Sequence, residues 1–158
     1  MRFQVLSLIA VVGLVAACST APTTETGSAA GQGAAQTQIT PGSAEDLRVN
    51  VGDRVFFGFD MYNLTDQARG TLQKQAAWLS THSGVNVIIE GHCDERGTRE
   101  YNLALGERRA NAVSDYMVSL GVPSSRISTI SYGKERPEDP ASNEMAWSKN
   151  RRGVTVVK

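Results

Sequence analysis

The sequence predicts a small α/β domain, an α+β two-layer sandwich in which helices pack against one sheet. From residue 47 to the C-terminus, short β-branched runs alternate with longer segments whose apolar residues recur at helical spacing. Strands separated by helices usually form βαβ units with right-handed crossovers, which gives this layered arrangement. The chain has 158 residues, enough for one domain of ordinary size with tails. Its formal net charge of zero argues against a general polyanion-binding protein.

The first half of the domain contains two predicted strands around one helix. Residues 54–57 form the first strand, and residues 86–90, a β-branched run, form the second. Thr65 is suited to cap the N-terminus of the helix between them. One apolar stripe at helical spacing defines this helix: Ala68, Leu72, Ala76 and Leu79.

The second half repeats the alternation with a longer helix. That helix is predicted over residues 98–120 and ends at Gly121, a residue type favoured just beyond helix C-termini. A third strand follows over residues 127–132. A short helix over residues 143–149 and a closing strand over residues 154–157 complete the domain.

The N-terminus has the pattern of an exported protein. Arg2 supplies a positive charge, and the apolar run over residues 5–17 is too short to span a membrane but typical of a signal peptide. Small residues precede Cys18, and this segment resembles the lipobox of bacterial lipoproteins. The resemblance implies a signal peptide over residues 1–17, lipid on Cys18 and, because Ser19 follows, sorting to the outer membrane. An ordinary signal peptide with a cysteine near its end is the alternative.

A flexible linker is predicted between the lipid and the domain. Residues 19–43 are mostly Thr, Gly, Ala, Gln and Ser, a composition that cannot bury enough apolar surface to fold. We place the lipidated cysteine and linker at residues 18–46 and the domain at residues 47–158. Cys93 then has no disulfide partner, and its position at a strand predicts a buried, inert thiol.

Two polar residues of the long helix face the predicted core. With Leu105 at the centre of the apolar face and about 100° of rotation per residue, Arg109 lies about 40° and Asn102 about 60° away. Because an unpaired buried charge is very unfavourable, Arg109 must be paired or open onto a cleft. The remaining residues expected on the buried face are Ala112, Val113, Tyr116 and Leu120.

Asp94 is the carboxylate nearest to this end of the helix, in the loop that leaves the second strand. Asp60 leaves the first strand in the same way, and ligands of open α/β sheets gather beyond the carboxyl ends of strands. An Asp94–Arg109 salt bridge could be structural and pin the helix to the loop. Alternatively, the pair fits a zwitterion, with Asp94 for an ammonium and Arg109 for a two-point contact with a carboxylate.

These residues also carry a resemblance to a known family. Several segments, in order from residue 54 to the C-terminus, resemble the signature of OmpA-like peptidoglycan-binding domains. Together with the lipobox and Gly106, they are similar to the peptidoglycan-associated lipoprotein subgroup of that family. The resemblance implies a βαβαβ domain with a mixed four-stranded sheet. The segments are Phe57-Gly58-Phe59-Asp60, Gly91-His92-Cys93-Asp94-Glu95-Arg96-Gly97-Thr98, Glu100-Tyr101-Asn102, Leu105-Gly106-Glu107-Arg108-Arg109-Ala110, Ser131-Tyr132-Gly133 and Lys149-Asn150-Arg151-Arg152.

The resemblance implies a ligand that agrees with the zwitterion hypothesis. Meso-diaminopimelate in the stem peptide of peptidoglycan ends in an ammonium and a carboxylate on one carbon. Carried over by motif position, Asp94 would bind the ammonium and Arg109 the carboxylate. Phe59 and Asp60 would line the same pocket, and Asn102 would help to hold it.

The resemblance also implies partners beyond the wall. It implies the Tol–Pal system, with the periplasmic protein TolB competing for the surface near residues 95–101, and a role in envelope integrity and in constriction during cell division. Cys93 departs from the family, whose members more often carry Thr or Ala there. A periplasmic protein-docking module, with a structural Asp94–Arg109 pair, is the alternative function.

An enzyme is the remaining alternative class. His82, His92, Cys93 and Asp94 could suggest a metal hydrolase or a thiol nucleophile. A catalytic zinc ion needs about three protein ligands, and adjacent strand residues point to opposite faces of a sheet. We therefore expect no catalysis, no metal and no cofactor.

Overall fold

The computed structural model describes residues 39–158. The predicted signal peptide, Cys18 and most of the predicted linker lie outside these residues. Among the helices of the described part, none combines the length and the apolar character needed to cross a membrane. The elements in chain order are α1 Ala44–Asp46, which continues into one π-helical turn Leu47–Val51, then β1 Arg54–Phe56, α2 Asp66–Thr81, β2 Val87–His92, α3 Arg99–Ser119, a 3₁₀ turn Ser124–Arg126, β3 Ile127–Gly133, α4 Glu144–Asn150 and β4 Arg152–Val157.

The four strands form one mixed sheet in the order β1-β4-β2-β3. The β2–β3 pair is parallel, as α3 crosses from one strand to the next, whereas β4 is antiparallel to both β1 and β2. Helices α2 and α3 pack against the sheet and against each other. The predicted two-layer α/β sandwich is therefore confirmed.

Helix α2 follows its predicted pattern closely. The Thr65 side chain accepts a hydrogen bond from the Ala68 backbone N–H at 3.1 Å and caps the helix. All four residues of the predicted apolar stripe are buried. The sequence pattern did not identify Gln75, a buried residue that donates to the Gly52 carbonyl at 2.6 Å and accepts from the Thr155 hydroxyl at 2.7 Å. This side chain joins α2 to β4.

The predicted domain boundary is wrong for residues 43–46. Ser43 caps α1 by accepting from the Asp46 backbone N–H at 3.1 Å, so the folded domain begins before residue 47. The buried Asp46 carboxylate accepts from Asn50 at 2.7 Å, from the Trp78 indole at 2.9 Å and from the Gly42 N–H at 2.8 Å. These hydrogen bonds, that from Asn50 first, lower the pKa of Asp46 to about 2. Helix α1 is short and polar, so its sequence resembles that of the linker. The partner that buries its carboxylate, Trp78, lies far along the chain.

The buried face of α3 differs in part from the predicted one. Leu120 lies beyond the last helical residue and is 38 % exposed, while Ala112 and Tyr116 are only half-buried. The helix touches the sheet most closely at Gly106, since a Cβ on Gly91 of β2 would lie 1.8 Å from the Gly106 carbonyl oxygen. The residues of α3 that are buried therefore differ in part from the predicted ones and are Asn102, Leu105, Gly106, Arg109, Ala110, Val113 and Met117. The predicted inward placement of Asn102 and Arg109 is confirmed.

Candidate functional site

A cavity of about 160 Å³ lies at the carboxyl end of β2, between the loop after β1 and the first turns of α3. It has the position that the sheet topology predicts for a ligand site. The structure brings together all five residues that the sequence singled out for ligand binding. The lining residues are Phe59, Asp60, Cys93, Asp94, Arg96, Gly97, Tyr101, Asn102, Leu105 and Arg109.

Arg109 is 0 % exposed, and its guanidinium bonds to the ends of two other segments. It donates to the carbonyls of Met61 at 2.8 Å, His92 at 2.7 Å and Gly58 at 3.1 Å. A fourth bond, of 3.3 Å, goes to the Cys93 sulfur. The side chain therefore fastens α3 both to the loop after β1 and to the end of β2.

These contacts correct the predicted Asp94–Arg109 salt bridge. Arg109 is satisfied by carbonyl oxygens and a sulfur, and Asp94 pairs with other arginines. A guanidinium has five N–H groups, and the four bonds leave one, on Nη2, without a partner among the described residues. The predicted two-point contact with a carboxylate would require N–H groups that the carbonyls already occupy. Burial lowers the pKa of Arg109, but a guanidinium stays charged at neutral pH, so the pocket keeps this positive charge.

Asp94 is a buried carboxylate held by two guanidinium groups. Its Oδ2 accepts from Arg96 Nη2 at 2.6 Å and from Arg151 Nη1 at 3.3 Å. Its Oδ1 accepts from the Arg96 backbone N–H at 3.2 Å and from Arg96 Nε at 3.3 Å. Burial alone would raise the pKa of Asp94, but the hydrogen bonds from Arg96 and Arg151 outweigh it and lower the pKa below its ordinary value.

Arg96 lies between two aromatic rings, a contact that the sequence did not predict. Its guanidinium carbon is 4.1 Å from the ring centroid of Phe59 and 4.1 Å from that of Trp147. Trp147 belongs to α4, and its indole donates to the Glu95 carboxylate at 2.9 Å. Stacking of this kind fixes an arginine through its cation–π attraction. The loop that carries Asp94 is thereby fixed against α4.

Asn102 supports the pocket by holding its loop through both N–H groups of its side-chain amide. Its side-chain amide donates to the carbonyls of Arg96 at 2.8 Å and Thr98 at 3.0 Å. Between these two residues, Gly97 has a φ of +90°, a conformation that L side chains rarely adopt. The buried amide thus fixes the tight turn that precedes α3.

Asp60 and Tyr101 form a second polar contact at the pocket. The Tyr101 hydroxyl, from the first turn of α3, donates a hydrogen bond to Asp60 Oδ1. This bond is the first cause of a raised pKa of Tyr101. Tyr101 belongs to the motif that the sequence singled out, but nothing in the spacing indicated that it faces Asp60.

Cys93 is buried as predicted and lines the pocket. Its thiol donates to the Asn102 carbonyl at 3.4 Å, and burial raises its pKa to about 11. His92 lies apart from it, with Nε2 3.3 Å from the Glu90 carboxylate and its ring 5.5 Å from the Tyr132 ring. Burial, followed by the charge of Arg152, lowers the pKa of His92 to about 4.

His82 is at a different place, beside Asp46 and Trp78 at the end of α2. The two histidines therefore lie in different places, and of the four residues that could suggest a catalytic centre only Cys93 and Asp94 line the cavity. Within residues 39–158, no group of three or more His, Cys, Asp or Glu side chains is arranged to hold a metal ion.

Comparisons with known proteins agree with this fold. The profile of the OmpA family matches residues 56–151. The peptidoglycan-associated lipoprotein of Rhizobium meliloti is 54% identical over 129 residues, 82% of this chain and 73% of the relative. That of Haemophilus influenzae is 44% identical over 143 residues, 90% of each chain.

Solved structures of related proteins have the same fold. The crystal structure of the peptidoglycan-associated lipoprotein from Burkholderia pseudomallei has a TM-score of 0.65 and 42% identity, covering 67% of this chain and 90% of the other. The C-terminal domain of Helicobacter pylori MotB has a TM-score of 0.63 at 19% identity, covering 67% and 84%, and shows the shared fold alone. The chain therefore belongs to the OmpA family, within its group of peptidoglycan-associated lipoproteins.

Proposed function

We propose that this protein binds peptidoglycan without catalysis, through the diaminopimelate of the stem peptide, and tethers the outer membrane to the cell wall as part of the Tol–Pal system. In this role it supports envelope integrity and constriction during cell division. One observation carries the proposal: an open cavity has a buried, charged Arg109 at its base and the carboxylates of Asp60 and Asp94 in its wall. These charges fit a zwitterion carried on one carbon.

The pocket offers different partners to the two charges of that ligand. The ammonium would contact the carboxylates of Asp60 and Asp94, of which Asp94 already pairs with Arg96 and Arg151. The ligand carboxylate would take the remaining N–H of Arg109. Phe59, which is 59 % exposed, would cover the aliphatic part of the ligand.

The chemistry of the stem peptide provides a test. Walls with lysine in place of diaminopimelate lack the side-chain carboxylate, so binding would leave the charge of Arg109 unpaired. We expect the full chain, with Cys18→Ser to remove the lipid, to sediment with diaminopimelate-type sacculi and to bind lysine-type sacculi at least about tenfold more weakly. Equal binding to both walls would contradict recognition of the zwitterion. Release of soluble fragments from the sacculi would contradict a purely binding role.

We further propose that the chain is anchored to the outer membrane by lipid on Cys18. One acyl chain holds a protein only marginally on a bilayer, whereas two or more anchor it stably. We expect mass spectrometry of the mature N-terminus to find a multiply acylated Cys18, and Cys18→Ala to release the protein from membranes. An unmodified Cys18, or an intact Met1, would contradict the anchor.

We also propose that a protein partner binds to the face of the domain that carries the cavity. Exposed apolar and aromatic side chains form a rim on this face: Phe59 and Tyr101 line the cavity, and Met61 and Tyr62 follow Phe59 in the loop after β1. Exposed apolar and aromatic surface of this kind is typical of protein–protein interfaces. TolB, docking near residues 95–101, would cover this rim and compete with the wall for it.

A further inference from the structure

Asp60 has an unusual backbone conformation for its residue type. Its φ is +56°, and it is the single non-glycine residue with a positive φ within residues 39–158. Aspartate adopts this region more readily than most residues, but the conformation persists only where the surroundings hold it. The residues that hold Asp60 in this conformation should therefore be found among its neighbours in the cavity.

The backbone on both sides of Asp60 is held by Arg109. Its Nη2 donates to the Gly58 carbonyl at 3.1 Å and its Nε to the Met61 carbonyl at 2.8 Å. These bonds fix the path of the loop but not the side-chain torsions of Asp60. The carboxylate is fixed separately, by the hydroxyl of Tyr101 on Oδ1.

Tyr101 is itself rigidly placed. It lies in the first turn of α3, and its backbone N–H donates to the hydroxyl of the cap residue Thr98 at 3.2 Å. The next residue, Asn102, holds the loop that leads to this turn. The phenol is therefore a fixed donor to Asp60, and both residues line the cavity.

We propose that Tyr101 is a positioning residue of the wall-binding pocket, whose hydroxyl fixes the Asp60 carboxylate so that the second oxygen can bind the ammonium of the ligand. This inference rests on the proposed function. A hydrogen bond to one carboxylate oxygen removes the side-chain freedom that the ligand would otherwise have to restrict, and such preorganisation increases affinity.

A purely structural role for this bond predicts a different outcome. Tyr101 is 46 % exposed, and water can replace a hydrogen bond at such a position with little effect on the folded state. Loss of the hydroxyl should therefore weaken ligand binding and leave the urea unfolding midpoint unchanged. A residue that only stabilised the domain would change both together.

The test uses Tyr101→Phe, with Tyr116→Phe as its matched control. Tyr116 belongs to the same helix and its hydroxyl also makes a side-chain hydrogen bond, accepted from Gln73 at 3.3 Å, but it is not among the residues that line the cavity. Calorimetry with the full chain, without its lipid, and a soluble disaccharide–tripeptide ending in diaminopimelate should show an affinity about tenfold lower for Tyr101→Phe and an unchanged affinity for Tyr116→Phe. In an Asp60→Ala background, Tyr101→Phe should cause no further loss, because residues that act through one another are not additive.

The outcomes separate this inference from the proposed function. If the wild type does not bind the muropeptide, the proposed function is wrong and this inference with it. If the wild type binds and Tyr101→Phe binds equally well, or if its loss persists in full in the Asp60→Ala background, only the role of Tyr101 is wrong. Ultraviolet titration of the tyrosines tests the bond without a ligand: Asp60→Ala should lower the raised pKa of Tyr101. An unchanged titration would contradict the bond itself.

Discussion

Arg109→Ala is expected to abolish wall binding and to lower the free energy of unfolding by about 3–5 kcal/mol. The variant loses the pocket's buried positive charge. It also leaves the carbonyls of Met61 and His92 without this donor, whereas the Gly58 carbonyl keeps a hydrogen bond from the Met61 backbone N–H at 3.3 Å. Each unsatisfied buried acceptor costs about 1–3 kcal/mol. Urea denaturation and co-sedimentation with diaminopimelate-type sacculi measure the two effects.

The neighbouring residue provides the control. Arg108 is exposed, so Arg108→Ala should change the free energy of unfolding by less than about 0.5 kcal/mol. Arg109→Lys tests geometry at constant charge. A single ammonium cannot reproduce the planar fork that reaches three carbonyls, so most of the stability loss should remain. If Arg109→Ala is as stable as the wild type, water replaces these hydrogen bonds, and Arg109 does not stabilise the fold.

The position of Arg109 could be predicted, but its partners could not. Helical periodicity is a property of local sequence, so the inward direction of Asn102 and Arg109 follows from the spacing of apolar residues. Strand ends likewise indicate that Asp60 and Asp94 lie at one edge of the sheet. Whether a buried guanidinium bonds to a carboxylate or to carbonyls depends on where the loop after β1 runs. Residue spacing contains no information on that path.

The same limit explains the contacts that sequence reasoning missed. Tyr101 meets Asp60 across 41 positions, and Arg96, in the loop before α3, stacks on Trp147 of α4. Each of these side chains is exposed or polar and would suit a solvated surface equally well. The domain start at Ser43 was missed for the related reason that the Asp46 carboxylate bonds to Trp78, 32 positions away. Long-range polar contacts leave no periodic trace in the sequence, whereas apolar burial does.

Asp94→Asn is expected to abolish wall binding and to lower the free energy of unfolding at neutral pH by about 2 kcal/mol. The substitution keeps the shape of the side chain but removes the charge that Arg96 and Arg151 share. The amide can neither neutralise these guanidinium groups nor attract an ammonium. Arg151 retains Glu144 at 2.6 Å, which limits the loss of stability. Loss of binding should therefore be the larger of the two effects.

The pH dependence of the difference in unfolding free energy between wild type and Asp94→Asn identifies the carboxylate as the source of that difference. The pKa of Asp94 is lower in the folded chain than its ordinary value, so the charged form contributes stability that is fully present above the unfolded pKa of about 3.9. That contribution is lost as the pH falls through the lower folded value. The gap in unfolding free energy between wild type and Asp94→Asn should therefore be constant near neutral pH and shrink below about pH 4.

Asp115→Asn is the matched control for both effects, because Asp115 is an exposed carboxylate of α3 outside the residues that line the cavity. It should bind sacculi like the wild type and show a small stability difference throughout. A gap for Asp94→Asn that stays unchanged down to pH 2 would mean that the variant disturbs the loop through its amide N–H groups and not through the lost charge. The ion pairs around Asp94 would then have no share in stability. If that variant also bound sacculi normally, the ammonium would have to be bound by Asp60, and Asp94 would serve only to hold Arg96 and Arg151 in place.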